Sequence, residues 1–272
     1  RFIRWGAAVF TNLSPEHIEA HGSFEAYRDA KVNFFKYVAQ RDGQLFFINK
    51  DDSSAQYFID VARKGEIILY SKNKMPSRLV GEFNEYNIGA AIAVARSQNI
   101  SEEIIQKALA EFPGVPGRME FVQQESFAVV IDYALTPESL KNVYTTLKSI
   151  STPSQGVAPT PTPCDGVDYR KLICVFGSAG GGRDKWKRPE LGKIAAEYCN
   201  DIVLTNDDPY DEDPIQILHD IKFGIAHTQF PIANVYEIVD RKEAIQKAIE
   251  LAKPGDVIAV TGKGSQQWLS IA

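Results

Sequence analysis

One stretch limits the possible fold more than any other. Leu172 to Phe176 is an unbroken apolar run, Gly177 to Arg188 is rich in glycine and cations, and Glu190 to Tyr198 reads as a helix. A wholly apolar strand that passes through a glycine turn into a helix is the unit of a parallel α/β sheet, because such strands are covered on both faces. The pattern repeats downstream. Asp201 to Thr205 ends in Asn206-Asp207-Asp208-Pro209 before a helix over Asp213 to Phe223, and a strand over Ala233 to Val239 precedes a helix over Arg241 to Ala252. A last strand, Asp256 to Val260, ends in Thr261-Gly262-Lys263-Gly264. Almost every strand thus ends in a polar cluster, at the edge where open parallel sheets bind ligands. The glycines after Phe176 would let backbone N–H groups approach an anion, and the helix N-terminus with Arg183, Lys185, Lys187 and Arg188 adds positive charge. The loop is not a Walker A motif, since no Lys-Ser/Thr follows its last glycine, and it does not complete the dinucleotide fingerprint. Such a turn uses glycine for geometry at least as often as for a ligand.

The first half alternates in the same way. Trp5 to Leu13 reads as a buried strand ending in polar residues, with Ser14-Pro15 suited to open a helix. A helix over Ser23 to Gln40 places Phe24, Tyr27, Lys31, Phe34, Phe35 and Val38 on one stripe, expected to face the core. A lysine on such a stripe must snorkel or be paired. Gly43 to Asn49 and Glu66 to Tyr70 read as strands flanking a helix over Ser53 to Ala62, and an alanine-rich helix runs to Ser97. Ser101 caps a helix that stops at Phe112. The run Pro113-Gly114-Val115-Pro116-Gly117 marks a domain boundary, giving domains over 1–113 and 114–272. The second opens with a strand over Ser126 to Tyr133, which carries Asp132, and a helix from Thr136 to Ser149. Ser151 to Gly166, with its prolines, is a surface loop.

With 272 residues, 44% hydrophobic, the chain can bury a core in each domain. A net charge of −5 argues against nucleic acid as a partner, and no apolar run approaches the ~18 to 20 residues of a membrane span. Cys164, Cys174 and Cys199 form no CxxC pair, and an odd count without a targeting segment fits a reducing cytoplasm.

Several separated motifs then agree in order: AAVFTNLSPEHIEAHGSFEAYRDAK (7–31), GEFNEYN (81–87), FPGVPGRME (112–120), VIDYALTPESL (130–140), FGSAGGGRDKWKRPELG (176–192), TNDDPYDEDP (205–214), DRKEAI (240–245) and GKG (262–264). On these the chain resembles the Mur ligases, of the MurE or UDP-N-acetylmuramoyl-tripeptide synthetase type. The resemblance implies an α/β chain in two parts, a partial central ATP-binding domain followed by a Rossmann-like C-terminal domain with a mostly parallel sheet. It implies ATP-dependent amide formation through an acyl phosphate, which adds a third amino acid such as diaminopimelate or lysine to UDP-N-acetylmuramoyl-L-alanyl-D-glutamate for peptidoglycan. ATP and Mg²⁺ are the implied cofactors, and the dipeptide nucleotide and a free amino acid the partners of a cytoplasmic monomer.

Residue by residue, Lys31 matches the family's carbamylated lysine, which with His17 would help hold Mg²⁺; His21 would shape the substrate pocket. Asn84 and Asn87 fall on the adenine motif, although asparagine suits a helix N-cap equally well. Arg118 and Asp132 match contacts to the ATP phosphates and ribose. Arg188, Asp207, Asp208 and Lys263 match the pocket for the incoming amino acid, with Arg188 aimed at its carboxylate.

The chain departs from the pattern in several places. The family's P-loop and N-terminal UDP-binding domain are not in it, so a chain starting at Arg1 is expected to be a fragment that is inactive alone. Leu135 replaces a histidine, Tyr210 replaces the arginine common in diaminopimelate-adding members, and Ser265-Gln266 replaces His-Glu, which leaves the amino acid open. Tyr70 to Gly81 is short where further strands are expected. Two other readings are a non-catalytic nucleotide- or partner-binding relative, and a dinucleotide-dependent oxidoreductase using the glycine loop and Asp207.

Overall fold

The computed structural model describes residues 3–151, 171–230 and 234–268. The chain divides into two compact units, Arg1–Phe112 and Pro113–Ala272. The division falls at the start of the proline- and glycine-rich run.

In the first unit β1 (Ala7–Phe10), β2 (Leu45–Asn49) and β3 (Glu66–Tyr70) form a parallel sheet in that order. Short α1 (Ile18–His21) and long α2 (Phe24–Val38) separate β1 from β2, and α3 (Ala55–Ala62) links β2 to β3. One face of the sheet is sealed by an aromatic core in which Phe10 stacks on Phe58 at 3.9 Å and Phe35 meets Phe58 edge-on at 4.9 Å. The other is covered by α4 (Glu82–Ser97), whose Ala90 and Ala93 pack on Phe47 and Tyr70; α5 (Glu102–Glu111) follows. Ser23 and Ser101 cap α2 and α5 by accepting from Ala26 and Ile104 N–H, which satisfies donors the first turn leaves open.

Two expectations need correction here. The segment at Ser14-Pro15 does not start a helix: α1 begins at Ile18, after His17 in a left-handed conformation. The apolar stripe of α2 is also rotated, burying Val32, Phe35 and Val38 while Phe34 and Lys31 are exposed. Val32 competes better for the interior because it carries no charge to desolvate.

The second unit is a six-stranded sheet. Its strands are β4 (Glu120–Gln123), β5 (Ala128–Ile131), β6 (Leu172–Phe176), β7 (Asp201–Leu204), β8 (Asn234–Glu237) and β9 (Val257–Val260), in spatial order β4-β5-β9-β6-β7-β8. All pairs are parallel except β4 with β5. The helices are α6 (Pro137–Ser151), α7 (Lys187–Tyr198), α8 (Pro214–Ala226) and α9 (Arg241–Leu251). Every residue of β6, β7 and β9 is buried, as the unbroken apolar runs of β6 and β9 and the Ile-Val-Leu run of β7 require. The antiparallel β4 was not anticipated, because its four half-exposed residues follow a run of chain breakers. Helix α7 starts at Lys187, three residues ahead of the expected Glu190. The expected loop over Ser151 to Gly166 lies outside the described residues beyond Ser151, as does Ala233 at the head of the strand expected over Ala233 to Val239.

Cys174 in β6 and Cys199 at the end of α7 are disulfide-bonded. The bond departs from the reducing environment that the odd cysteine count suggests; both partners are buried, and Cys164 lies outside the described residues.

Candidate functional site

In the first unit three residues singled out from the sequence share one aromatic ring. His17 and His21 approach Tyr27 at 5.6 and 5.4 Å, and Lys31 Nζ lies 4.9 Å from its centroid. The turn of α1 presents the histidines, while Tyr27 and Lys31 are i and i+4 on α2 and so stand one above the other. Lys31 is exposed, not buried with the stripe. Among the described residues no group of three or more His, Cys, Asp or Glu side chains could hold a metal ion. An ammonium has no acceptor lone pair, and Mg²⁺ favours oxygen. These side chains therefore fit Mg²⁺ only if Lys31 carries a carbamate, with His17 beside it.

Asn84 and Asn87 lie inside α4 and not at its cap, which Gly81 occupies. Asn84 is buried; its Nδ2 donates to Val80 O at 2.7 Å, and its Oδ1 accepts from Asn87 Nδ2 at 2.9 Å. That leaves the exposed Asn87 with an Oδ1 acceptor that has no partner among the described residues, the complement of an exocyclic amine. Asn84 is thus placed to orient Asn87.

In the second unit the charged residues gather where strands end. Asp132 follows β5 and accepts from Met119 N at 2.8 Å and Ala134 N at 2.6 Å. Burial raises its pKa, while these hydrogen bonds and Arg118 oppose the rise. Arg118 is exposed and stacks on Tyr133 at 4.2 Å, and Gln266 Nε2 donates to Tyr133 Oη at 2.8 Å. The departure at Gln266 and Arg118 therefore meet the same tyrosine, one at its hydroxyl and the other over its ring, and Leu135 is half-buried nearby in sequence.

A second group joins the ends of β7 and β9. Lys263 Nζ lies 2.6 Å from Asp208 Oδ1 and 3.6 Å from Asp207 Oδ1, and both Lys263 and Asp207 are buried. Burial raises the Asp207 pKa, and Arg241 and Lys263 oppose the rise. Asp208 and Tyr210 both hold left-handed φ angles, 34° and 53°, around Pro209. That backbone is costly for side-chain-bearing residues and persists where the surroundings fix it.

A third group surrounds Arg188, which is 1% exposed. Its Nη1 donates to Asp220 at 2.9 Å, and its Nη2 to Glu212 at 3.0 Å and Ala179 O at 3.3 Å. Lys185 also reaches Glu212 at 3.0 Å. Desolvation raises the Glu212 pKa, but Lys185 and Arg188 outweigh it and hold the carboxyl below the ordinary range. Through its two Nη groups Arg188 thus ties α7, α8 and the glycine loop together, while its buried Nε has no partner among the described residues. Arg183 is exposed, with its Nη2 donating to Tyr210 Oη at 3.2 Å and its guanidinium 5.6 Å from that ring. Gly181, at φ 67°, packs on the other part of Tyr210: a Cβ there would stand 2.7 Å from the ring. The sequence groups Arg183 with three other cations, Lys185, Lys187 and Arg188, and gives Arg241 no role; the Tyr210 departure next to the glycine loop is the available signal for Arg183.

Comparison with known proteins gives two family matches, the Mur ligase middle domain over residues 1–76 and the Mur ligase, glutamate ligase domain over residues 162–264. The UDP-N-acetylmuramoyl-L-alanyl-D-glutamate--2,6-diaminopimelate ligase of Aquifex aeolicus is 35% identical over 98% of this chain. The ligase of the same name from Synechocystis is 37% identical over 97% of it. This chain spans 55% and 54% of those two proteins, about half their length. Among solved structures, E. coli FolC in complex with ADP superposes with a TM-score of 0.69 at 17% identity, over 96% of this chain and 59% of FolC.

Proposed function

This chain belongs to the Mur ligase family, and on that premise we propose that its protein is an ATP-dependent ligase of peptidoglycan synthesis. The reaction adds a third amino acid, of the diaminopimelate or lysine class, to UDP-N-acetylmuramoyl-L-alanyl-D-glutamate. The observation that carries this reading is the gathering of Asp207, Asp208, Lys263 and the Arg183–Tyr210 pair at the carboxyl ends of β6, β7 and β9. Paired carboxylates beside cations suit a zwitterionic substrate, which needs an anion for its ammonium and a cation for its carboxylate.

In this reading Arg183 meets the amino-acid carboxylate, and Tyr210 orients the guanidinium by accepting a hydrogen bond from its Nη2. Arg188 keeps the loop beneath it in place. Asp208 and Lys263 bound the amine side. ATP supplies the phosphoryl group that makes the γ-carboxylate of D-glutamate an acyl phosphate, which the amine then attacks. Asn87, oriented by Asn84, would accept from the adenine amine, and Arg118 and Asp132 would meet phosphate and ribose. Lys31, as a carbamate, and His17 would hold Mg²⁺, and His21 would line the same corner. The domains are assigned as 1–113 for the central ATP-binding part and 114–272 for the ligase part. No helix among the described residues is long and apolar enough to cross a membrane, and a cytoplasmic location follows from the nucleotide-linked substrate.

The test is phosphate release by the full-length protein from ATP, the dipeptide nucleotide and each of lysine, ornithine and diaminopimelate. Release that requires one of these amino acids is expected. No release with any of them would refute the ligase reading.

A further inference from the structure

Arg241 lies in the DRKEAI motif (240–245), to which the sequence assigns no role, yet it touches the ends of two of the loops that carry the candidate site. It is the first residue of α9, after the N-cap Asp240. Its Nη1 donates to Asn206 O at 3.1 Å, at the end of β7, and its Nη2 to Thr261 O at 2.7 Å, at the end of β9. These carbonyls immediately precede Asp207 and Gly262-Lys263. A cation in the first turn of a helix is opposed by the helix dipole. Desolvation opposes the charge as well and lowers the Arg241 pKa, while Asp207 and Asp208 act the other way. Fold stability alone gives little reason for an arginine at this position. The local fit is tight: a Cβ on Gly262, at φ 103°, would stand 2.5 Å from Asp207 Oδ2 and 3.9 Å from Arg241 Nη2.

We propose that Arg241 is a positioning residue, which locks the loop after β7 to the loop after β9 and balances the charge of Asp207, so that Asp207, Asp208 and Lys263 are presented as one fixed network. Two carboxylates face two cations here, and the groups that surround Asp207 are Arg241 from α9, Lys263 from the loop after β9 and Asp208 beside it. A forked guanidinium reaches both carbonyls at once, which a lysine ammonium, as a point charge, does less well. Removing the fork lets the loops separate, and a displacement of about 1 Å at a positioning group costs on the order of 10²-fold in rate or binding. Which substrate the network serves rests on the ligase reading; the network itself does not.

The test has two arms. In the chain itself, carboxyl carbon NMR follows the titration of Asp207 in wild type, Arg241→Gln and Arg241→Lys. The midpoint is expected to move to higher pH in Arg241→Gln and to return most of the way in Arg241→Lys, since that variant keeps the charge. In the full-length protein, Arg241→Gln is expected to raise KM for the amino acid on the order of 10²-fold with KM for ATP unchanged, and Arg241→Lys to recover only part of it. If Arg241 were merely structural, Arg241→Gln would lower Tm and leave the Asp207 midpoint in place, and that result in the Gln variant would overturn the proposal. If Arg241→Gln does not fold, Arg241→Lys decides: an unchanged KM for the amino acid overturns it, a raised KM at an intact Asp207 midpoint supports it. Absence of ligase activity in the wild type would refute the ligase reading, while the NMR arm would still decide the role of Arg241.

Discussion

Replacing Arg188 by methionine removes its charge and hydrogen bonds while keeping most of its volume. Breaking a buried ion pair from one side costs about 3–5 kcal/mol, because the remaining charge is left without a partner. The lower end applies here. Glu212 keeps Lys185 at 3.0 Å and has an 18% exposed side chain; Asp220 keeps Gln216 at 2.8 Å and is 31% exposed. A loss of about 3 kcal/mol corresponds to a fall in Tm of about 6–12 °C for a unit of this size. The effect also depends on pH with a definite sign. Glu212 has a lowered folded-state pKa, so the stability it contributes is present above the ordinary glutamate range and is lost as pH falls through its folded value. The gap between wild type and Arg188→Met should therefore be widest at neutral pH and narrow in acid. Because the chain has two compact units, the assay is urea unfolding read by hydrogen exchange at the amides of β6 and β9, which report the second unit alone. A variant within 1 kcal/mol of wild type at pH 7, by the ~3 kcal/mol expectation above, would refute the claim that Arg188 is a structural tie.

Further expectations concern the disulfide and the glycine loop. Reducing the Cys174–Cys199 bond, which closes a separation of 25 residues, should lower stability by roughly 3 to 4 kcal/mol; both thiols reacting with a maleimide in the native, unreduced protein would contradict the bond. Gly181→Ala should weaken amino-acid binding more than Gly182→Ala, since both adopt left-handed φ but only the Gly181 Cβ would strike Tyr210; equal KM values for the two variants would count against the packing argument. Tyr210→Arg should shift preference toward diaminopimelate by placing a second guanidinium beside Arg183, and an unchanged ranking of lysine, ornithine and diaminopimelate would remove Tyr210 from the pocket.

Much of the second unit was legible because parallel strands buried on both faces leave unbroken apolar runs, as in Leu172 to Phe176 and Val257 to Val260. The polar clusters after them were equally plain, and the structure does bring Asp207, Asp208 and Lys263 together. What escaped depends on tertiary detail. Arg183 and Arg188 stand in one basic run, and only packing of α7 on α8 decides that Arg188 turns inward to Asp220 while Arg183 turns out to Tyr210. Lys31 and Val32 are neighbours on α2, so a rotation of one residue exchanges which is buried. The role of Arg241 lay in two backbone carbonyls, which leave no mark in a sequence. Cysteine spacing alone does not reveal pairing.

The sheet order has a consequence for how the second unit is made. Strand β9 lies between β5 and β6, pairing Ala128 with Val257 and Leu172 with the same residue. During synthesis β5 and β6 therefore emerge long before the strand that joins them, each with a bare edge open to wrong partners. The pairing is among the most distant in sequence that the unit contains, and such contacts make folding slow. The nascent sheet is left as two halves until its middle arrives, and a chaperone that shields those two edges would act in the interval between the emergence of β6 and that of β9.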